Sequence, residues 1–450
     1  MKSVIVKLIF LLNVGMIFSG LQAQTPAQEA DELLKQYVKQ NSFSGVALIA
    51  QKGSVLLEKG YGYRDVGMKL LNDTNTVFEI GTLTRQFTAT LILMLADAHR
   101  LTLGDKLSAY LPGFPNGDSI TIENLLTNTS GIHNYSSGEI YLQHLATLPV
   151  TVNELINSFK DRPFDFSPGT SYQYSNSGYV LLGYIIEKVT GKTYFDVLRQ
   201  SIFVPLGMRH SGFDFKNLKY VDKATGYFKL TAKTALKAPV ADSTETYAAG
   251  AIFSTLGDLY KWDRALYSGK LLQDSSLRRA FTPFLNNYGL GWIIDSSFGK
   301  KVVMHEGDIF GFESFIARVP ADQTCIILLE NKQSSGLSRI AENINSILNG
   351  QPYDFPLPHA EIDVDSSTLQ TYVGQYRLGP NFILDVTLEN GQLMIQATGQ
   401  AKTELYAEKK NLFFMKFESE EIEFLKNPDD TIDRLVLSQY GQKLTALKIR

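Results

Sequence analysis

The sequence predicts an α/β domain followed by a small antiparallel β-domain. In the 450-residue chain, strand-like runs lie near the beginning and again shortly before residue 350, with helical patterns between them. This order places early and late strands in one sheet, with a helical insertion between them. After a proline-bearing stretch the pattern changes to alternating apolar and polar residues, which is typical of half-buried strands.

The first elements are a helix, a hairpin and a second helix. The pattern predicts a helix over residues 27–40 and strands over residues 46–50 and 55–59. Lys52-Gly53, between the two strand-like runs, favours a hairpin turn. Apolar residues at helical spacing then begin directly after Thr82: Leu83, Phe87, Leu91, Met94, Leu95 and Ala98.

The middle of the chain predicts a mixed, mainly helical region over residues 100–285. Helical runs such as residues 180–186 alternate there with glycine and proline. Strands return at residues 302–304, 312–319 and 324–330, and a helix after Gly336 closes the domain.

The last part of the chain predicts a barrel or a curled antiparallel sheet. Residues 382–389 alternate strictly, and Asn390-Gly391 favours a type I′ turn into residues 392–395. Further strand-like runs follow at residues 411–417, 421–425, 433–437 and 444–449. This segment contains no evident catalytic cluster.

Charge and cysteine content exclude some classes of function. The net charge is -3 and no basic tract occurs, which argues against a nucleic-acid-binding surface. Cys325 is the single cysteine, so no intramolecular disulfide forms. Its apolar neighbours indicate a small buried hydrophobic residue rather than a nucleophile.

The N-terminus predicts a secretory signal peptide over residues 1–23. A basic start, an apolar stretch over residues 8–18 and Leu21-Gln22-Ala23 precede a cleavage site before Gln24. A transmembrane anchor is the alternative, but the apolar stretch is interrupted and shorter than the ~20 residues that span a bilayer. We therefore expect export to the periplasm or the exterior, with no membrane span after signal cleavage.

The predicted organisation thus has four parts. They are the signal peptide over residues 1–23, the α/β domain over 24–351, a linker over 352–361 and the β-domain over 362–450. The linker is assigned because residues 352–360 carry prolines and lack periodicity.

Three short motifs carry the candidate chemistry. Thr82 and Arg85 lie one turn apart at the start of the second helix, Tyr174-Ser175-Asn176 lies in a polar loop, and His305-Glu306-Gly307 lies in a late strand. Each has a structural alternative: Thr82 as a helix N-cap, Arg85 as the partner of a nearby acid, the tyrosine motif as a turn, and His305 as a core histidine.

Taken together, these motifs resemble the penicillin-recognising serine hydrolases, which include class C β-lactamases, D-Ala-D-Ala peptidases and related esterases. Segments 125–131, 205–208, 254–259 and 288–292 also resemble that family, and they occur in the expected order. The resemblance covers about residues 28–350 and implies an antiparallel sheet flanked by helices, plus a helical subdomain. The segment beginning at Tyr372 resembles the lipocalin-like domains that often follow.

The resemblance implies a role for each motif residue. Thr82 occupies the position of the nucleophile, Arg85 that of the catalytic lysine, and Tyr174 that of the proton shuttle. Asn176 would hold the substrate amide, and His305 would contact the substrate or the Tyr174 hydroxyl.

The third motif completes the implied site. Gly307 lies on an edge strand that lines the pocket, and the backbone N–H of Asp308 would join that of Thr82 in an oxyanion hole. The implied mechanism requires no metal and no cofactor. Asn128 departs from the family pattern, because histidine is usual at that position.

Thr82-x-x-Arg85 departs from the Ser-x-x-Lys pattern of the family. A partly desolvated lysine can lose its proton and act as a base, whereas arginine has a pKa above about 12 and stays charged. Keeping Arg85 neutral near pH 7 would cost about 7 kcal/mol. Thr82 is also hindered, because its β-methyl group restricts χ1 and crowds the approach to an acyl carbon.

Three functional hypotheses follow. In the first, the pocket binds a small-molecule or peptide ligand, such as a cell-wall fragment or an acyl compound, with weak or no turnover. In the second, the protein is an acyl hydrolase for a β-lactam, a D-amino-acid peptide or an ester, with Thr82 attacking and Tyr174 as base. In the third, the β-domain contacts a protein or glycan, and the large domain presents it.

Overall fold

The structure is a computed structural model that describes residues 24–449 except 137–146, 220–221, 232–233, 334–335, 356–360, 380–381, 399, 401, 416–419 and 440–441. The predicted signal peptide, residues 1–23, lies outside the described residues, as does half of the predicted linker. The cleavage site and the domain boundaries therefore stay predictions.

The helices of the described residues are, in chain order, α1 (Pro26–Lys39), α2 (Thr84–Asp97), α3 (Ile122–Leu126), α4 (Val152–Asn157), α5 (Asn176–Thr190), α6 (Tyr194–Leu198), α7 (Val204–Leu206), α8 (Ser243–Gly250), α9 (Leu256–Ala265), α10 (Asp274–Ala280), α11 (Leu337–Leu348) and α12 (Ser366–Tyr372). None of them is both long enough and apolar enough to cross a membrane.

The strands of the described residues are β1 (Gly45–Gln51), β2 (Ser54–Tyr61), β3 (Tyr63–Asp65), β4 (Leu70–Leu71), β5 (Phe78–Glu79), β6 (Tyr227–Leu230), β7 (Ala235–Lys237), β8 (Phe253–Ser254), β9 (Ile293–Ser297), β10 (Lys300–Ile309), β11 (Phe312–Val319), β12 (Thr324–Glu330), β13 (Gly374–Gly379), β14 (Phe382–Glu389), β15 (Gln392–Ala397), β16 (Lys402–Ala407), β17 (Leu412–Phe414), β18 (Glu421–Lys426), β19 (Ile432–Gln439) and β20 (Gln442–Lys448).

Early and late strands form one antiparallel sheet, as predicted. Its six strands run in the order β2-β1-β12-β11-β10-β9, so the N-terminal hairpin pairs with β12. Lys52 and Gly53 both have positive φ, 52° and 79°, as a type I′ hairpin turn requires. The sequence patterns did not indicate β9, which pairs with β10 at the sheet edge.

The sheet separates two hydrophobic cores. On β1, Val46 and Leu48 belong to the core shared with the helical region, whereas Ala47 and Ile49 belong to the core shared with α1 and α11. Alternate side chains of a strand point to opposite faces, so a strand buried on both faces reads as a continuous apolar run. Cys325 of β12 is fully buried, as predicted, in the core that the sheet shares with the helical region. Burial raises the pKa of its thiol.

Strands β13 to β20 form a closed antiparallel barrel of eight strands. Each strand pairs with the next, and Tyr376 of β13 lies opposite Lys448 of β20, which closes the barrel. The predicted Asn390-Gly391 turn is present, with φ of 51° and 81°. The sequence patterns indicated neither α12, which begins at Ser366, nor strand β16.

Candidate active site

Thr82 lies in a single 3-10 turn, Gly81–Leu83, that leads into α2. The alternative role as a helix cap is wrong, because the residue before this turn is Ile80 and the Thr82 side chain caps neither helix. Instead the Thr82 hydroxyl donates a hydrogen bond of 3.0 Å to the backbone carbonyl oxygen of Glu306. The first and third motifs are therefore in direct contact.

Two glycines allow this contact. Gly81 has a φ of 49°, and a Cβ atom there would lie 2.7 Å from the carbonyl oxygen of Asp308. A Cβ atom at Gly307 would lie 2.1 Å from the carbonyl oxygen of Ile80. Any larger residue would separate the segments that carry the Thr82 and Asp308 amides, the predicted oxyanion donors.

Arg85 is fully buried on α2, and its guanidinium group is held by two amide oxygens. It donates to Asn128 Oδ1 at 3.1 Å and to Asn176 Oδ1 at 2.6 Å. Two tyrosine rings face the guanidinium carbon, with centroids at 3.6 Å for Tyr174 and 4.4 Å for Tyr179. No carboxylate among the described residues forms an ion pair with it, so the alternative role as partner of an acid is wrong.

The surroundings of Arg85 favour its charged form. Burial opposes the charge, but the nearby Tyr174, Tyr288 and Tyr179 outweigh this effect, and the pKa of Arg85 is raised. Burial also raises the pKa of Tyr174, and Arg85 and Thr82 offset this only in part. The guanidinium carbon lies over the face of the Tyr174 ring, so the cation interacts with the ring's π-system.

Asn176 is the first residue of α5, and its side chain is engaged at both ends. Its oxygen accepts from Arg85, and its Nδ2 donates to Ser136 at 2.8 Å. Its backbone N–H donates to Asn134 at 3.0 Å. Tyr174 and Asn176 thus meet Arg85 in one cluster, as the resemblance implied, although Asn176 bonds to protein groups at each end of its amide.

His305 of β10 is buried, with 1% of its surface exposed. Its Nδ1–H donates to the carbonyl oxygen of Glu306, which leaves Nε2 to accept from the Tyr288 hydroxyl at 3.1 Å. The described hydrogen bond is thus to Tyr288, not to Tyr174, whose ring centroid lies 6.3 Å from that of His305. Burial and the charge of Arg85 lower the pKa of His305 to about 3, so it is neutral at physiological pH.

Two clefts border Thr82. The larger, about 570 Å³, is lined by Thr82, Asn176 and Asp308 on its polar side and by Phe228 and Phe310 on its apolar side. The smaller, about 360 Å³, is lined by Tyr174 and His305 together with three acidic residues, Glu306, Asp308 and Glu313. Enclosure in the cleft and the nearby Glu313 raise the pKa of Asp308 to about 6.

Sequence reasoning assigned no contact to three residues of this cluster. Asn128 was noted only as a departure from the family pattern, yet its oxygen accepts from both Arg85 and the backbone N–H of Ser175. Tyr288 lies in the 288–292 segment, and Tyr179 follows the second motif. Their position in family-like segments indicated that both tyrosines lie near the site. Their contacts with Arg85 and His305 depend on the fold and could not be read from the sequence.

The chain belongs to the β-lactamase family. The profile of that family, described as "Beta-lactamase", matches residues 30–349. A second profile, "Domain of unknown function (DUF3471)", matches residues 358–448, the segment that contains the barrel.

Individual relatives agree with this assignment. The chain is 30% identical to "Penicillin-binding protein 4*" of Bacillus subtilis over 95% of its own length and 100% of the relative's. A penicillin-binding protein homologue from Pyrococcus abyssi, 24% identical, superposes with a TM-score of 0.67 over 93% of this chain and 99% of that one. A D-stereospecific amidohydrolase from Streptomyces, 27% identical, has a TM-score of 0.64 over 73% of this chain and 100% of that one.

Proposed function

We propose that this protein binds a peptide-like or acyl ligand at the Thr82 site and turns it over weakly or not at all. The observation that carries the proposal is the Thr82 hydroxyl itself. It donates to the carbonyl oxygen of Glu306, while Tyr174, which is also hydrogen-bonded to Thr82, is a phenol whose pKa is raised by burial. A backbone carbonyl accepts a hydrogen bond but does not take up the proton, so it does not generate an alkoxide nucleophile.

The surrounding groups support the same proposal. Arg85 keeps its proton, because its pKa is raised above an already high value. Tyr174 is a weak candidate for the base, because burial raises its pKa as well. His305 donates through Nδ1 to the Glu306 carbonyl, and its Nε2 faces Tyr288. The described site therefore gives Thr82 a carbonyl oxygen that takes up no proton and a Tyr174 phenol whose raised pKa disfavours the phenolate form that would take it.

The larger cleft supports binding of a peptide-like or acyl ligand. Its volume of about 570 Å³ is in the range typical of small-molecule sites. Polar groups at Thr82, Asn176 and Asp308 face the apolar wall of Phe228 and Phe310, which suits an amide with an apolar substituent. Similarity to a penicillin-binding protein and to a D-stereospecific amidohydrolase supports a cell-wall-derived or D-amino-acid compound.

An acyl hydrolase remains the second candidate, and one observation favours it. The guanidinium carbon of Arg85 lies 3.6 Å from the centre of the Tyr174 ring, and this positive charge opposes the rise in the Tyr174 pKa. In this reading Thr82 attacks the acyl carbon and the Tyr174 phenolate accepts its proton. Tyr174 then passes the proton to the leaving amine or alcohol as the acyl bond breaks, and the Thr82 and Asp308 amides stabilise the oxyanion.

Mass spectrometry combined with calorimetry separates the two functions. Protein lacking residues 1–23 is incubated with penicillin or p-nitrophenyl acetate, and an acetylated D-alanyl-D-alanine peptide is titrated in parallel. We expect saturable peptide binding and no covalent adduct. An adduct on Thr82 that is absent from Thr82→Ala would establish the hydrolase, whereas the absence of both adduct and peptide binding would reject both functions.

We also propose export and a two-domain organisation. The signal-like residues 1–23 support cleavage before Gln24, and sequencing the N-terminus of protein from the native host tests this. Detection of an intact Met1 in the mature protein would contradict export. Limited proteolysis should cut first within residues 352–361, and early cuts only within residues 382–450 would contradict the boundary.

A further inference from the structure

The smaller cleft beside Thr82 extends along β10 towards α11. Thr82 and Tyr174 lie among the residues that line it, and so do Leu337 and Ser338, the first two residues of α11. The cleft therefore continues beyond the candidate nucleophile, and a ligand that extends from Thr82 into it lies against side chains of β10 and of the neighbouring strand β11.

Three carboxylates line this cleft on one face of the sheet. Asp308 and Glu313 are directly opposite partners on β10 and β11, and Glu306 lies two residues before Asp308. Side chains that are directly opposite or two residues apart point to the same face, so all three carboxylates lie on one side. Like charges placed directly opposite each other destabilise a sheet, so packing alone does not favour this arrangement.

The charged groups that act on Glu306 and Asp308 are other carboxylates. Neither residue forms an ion pair with another described residue, and Asp308 accepts a hydrogen bond of 3.4 Å from the uncharged Gln333. Enclosure raises the pKa of Glu306, and the nearby Glu313 and Glu342 raise it further. Enclosure and Glu313 raise the pKa of Asp308 in the same way, so both carboxyl groups lack a compensating positive charge.

Positive charge is also lacking elsewhere around Thr82. None of the described residues that line the two clefts is a lysine or an arginine, and the larger cleft adds a further carboxylate, Glu245. His305 is neutral, because its pKa is lowered to about 3. Arg85 is fully buried, and its guanidinium group donates to two amide oxygens of the protein. At neutral pH the space that a ligand would occupy is therefore lined by negative charge.

We propose that the Thr82 site selects a ligand with an ammonium group, which lies in the smaller cleft against Glu306, Asp308 and Glu313. The ligand class is a peptide-like amide that carries a basic side chain. An ammonium group in this cleft offsets the repulsion among the carboxylates and donates charge-assisted hydrogen bonds to them. The inference rests on the ligand-binding function proposed above for Thr82, and it adds the charge of the ligand.

Two peptides that differ in one charged group test the inference. Acetyl-D-alanyl-D-lysinamide and acetyl-D-alanyl-D-norleucinamide have the same backbone, and the lysine side chain extends that of norleucine by an ammonium group. Calorimetric titration of protein lacking residues 1–23 at neutral pH should give an affinity about tenfold higher for the lysine peptide. Equal binding of both peptides would overturn the ammonium site and leave the proposed function intact. Binding of neither peptide would contradict the proposed function, and the ammonium site with it.

Variants of nearly the same size locate the ammonium group. Glu306→Gln and Asp308→Asn each remove one negative charge, and each should lower the ratio of lysine-peptide to norleucine-peptide affinity about threefold. The double variant should bring this ratio close to one. A general loss of affinity through local distortion would weaken both peptides and leave the ratio unchanged.

Glu58→Gln provides the matched control. Glu58 is exposed on β2, at the far side of the sheet from β10, and this variant should keep the wild-type ratio. A wild-type ratio in the double variant Glu306→Gln and Asp308→Asn would overturn the assignment of the ammonium group to these carboxylates.

Discussion

The Thr82 site and the barrel interior are stabilised in opposite ways. Around Arg85, a buried cation is held by two amide oxygens and two tyrosine rings, without a carboxylate among the described residues. In the barrel, the rings of Tyr372, Phe413 and Phe424 pack together at one end. At the other end, a cavity of about 650 Å³ is lined by Leu384, Ile395 and Leu437 among others. Hydrogen bonds and ring contacts therefore hold the side chains around Arg85, whereas side-chain packing holds one end of the barrel and leaves a cavity at the other.

The largest effect is expected from restoring the family motif. The double change Thr82→Ser and Arg85→Lys supplies a primary hydroxyl and an amine that can lose its proton. Hydrolysis of p-nitrophenyl acetate should rise by about 10² to 10⁴-fold, the usual contribution of a general base. Each single change should give much less, since each leaves one partner missing.

The double variant also tests whether the polar contacts around position 85 are compatible with catalysis. If the double variant folds and stays inactive, the polar contacts around position 85 hold a geometry that no longer supports catalysis. Wild-type protein that already hydrolyses the ester at ordinary enzyme rates, with loss of activity in Thr82→Ala, would reject the proposal of a binding site.

The contrast within the barrel predicts unequal effects of the same substitution. Leu435 and Leu437 are two residues apart on β19 and point to the same face, but of the two only Leu437 lines the barrel cavity of about 650 Å³. Leu435→Ala should lower the free energy of unfolding by about 3–5 kcal/mol, and Leu437→Ala by about 1–2 kcal/mol less, because a cavity already exists beside it. Urea denaturation measures both losses, and equal losses would contradict an open cavity beside Leu437.

Asn128 tests how far polar contacts stabilise the Thr82 site. Its side chain accepts from the charged Arg85, and its φ is 57°. Asn128→Ala should lower the free energy of unfolding by about 2–4 kcal/mol, through the lost bond and left-handed strain. Asn128→Gly removes the bond without the strain and should lose about 1–2 kcal/mol less. A loss below 1 kcal/mol for both would show that Arg85 does not depend on Asn128.

The smallest effect, expressed per pH unit, is a pH dependence from His305. Its folded-state pKa is about 3, below the ordinary value of 6.5, so the unfolded chain takes up a proton that the folded chain does not. Stability should therefore fall as the pH decreases from about 6.5 to about 3, by up to about 1.4 kcal/mol per unit. The slope reflects the one proton that only the unfolded chain binds, so His305→Gln should remove this contribution to the pH dependence. His99→Asn, at an exposed position, controls for the loss of a histidine.

The sequence predicted much of the fold because its signals were local or repeated. Residues 46–50 and 324–330 read as continuous apolar runs because both faces of those strands are buried. Strand β9 was not indicated, because three of the five residues in its sequence Ile-Ile-Asp-Ser-Ser are polar, as suits a strand at a sheet edge. Strand β16 was not indicated either, because Lys402 and Glu404 interrupt its short run.

The site was predictable in composition but not in contacts. The resemblance identified Thr82, Arg85, Tyr174, Asn176 and His305, and all five lie in one region of the structure. It did not indicate that the Glu306 carbonyl accepts from both Thr82 and His305, because any residue supplies a carbonyl oxygen. Likewise, alternation showed which barrel residues point inward but not whether they fill the interior.

The single thiol of the chain makes the opening of the sheet measurable by chemical labelling. Cys325 is fully buried, and its raised pKa disfavours the reactive thiolate. A thiol reagent therefore reaches it only when β12 separates from the helices that cover it, and the labelling rate reports how often the sheet opens. Because Cys325 is buried, a cysteine introduced on the surface of the folded protein would be the one that reacts, and it could carry a fluorophore at one chosen position.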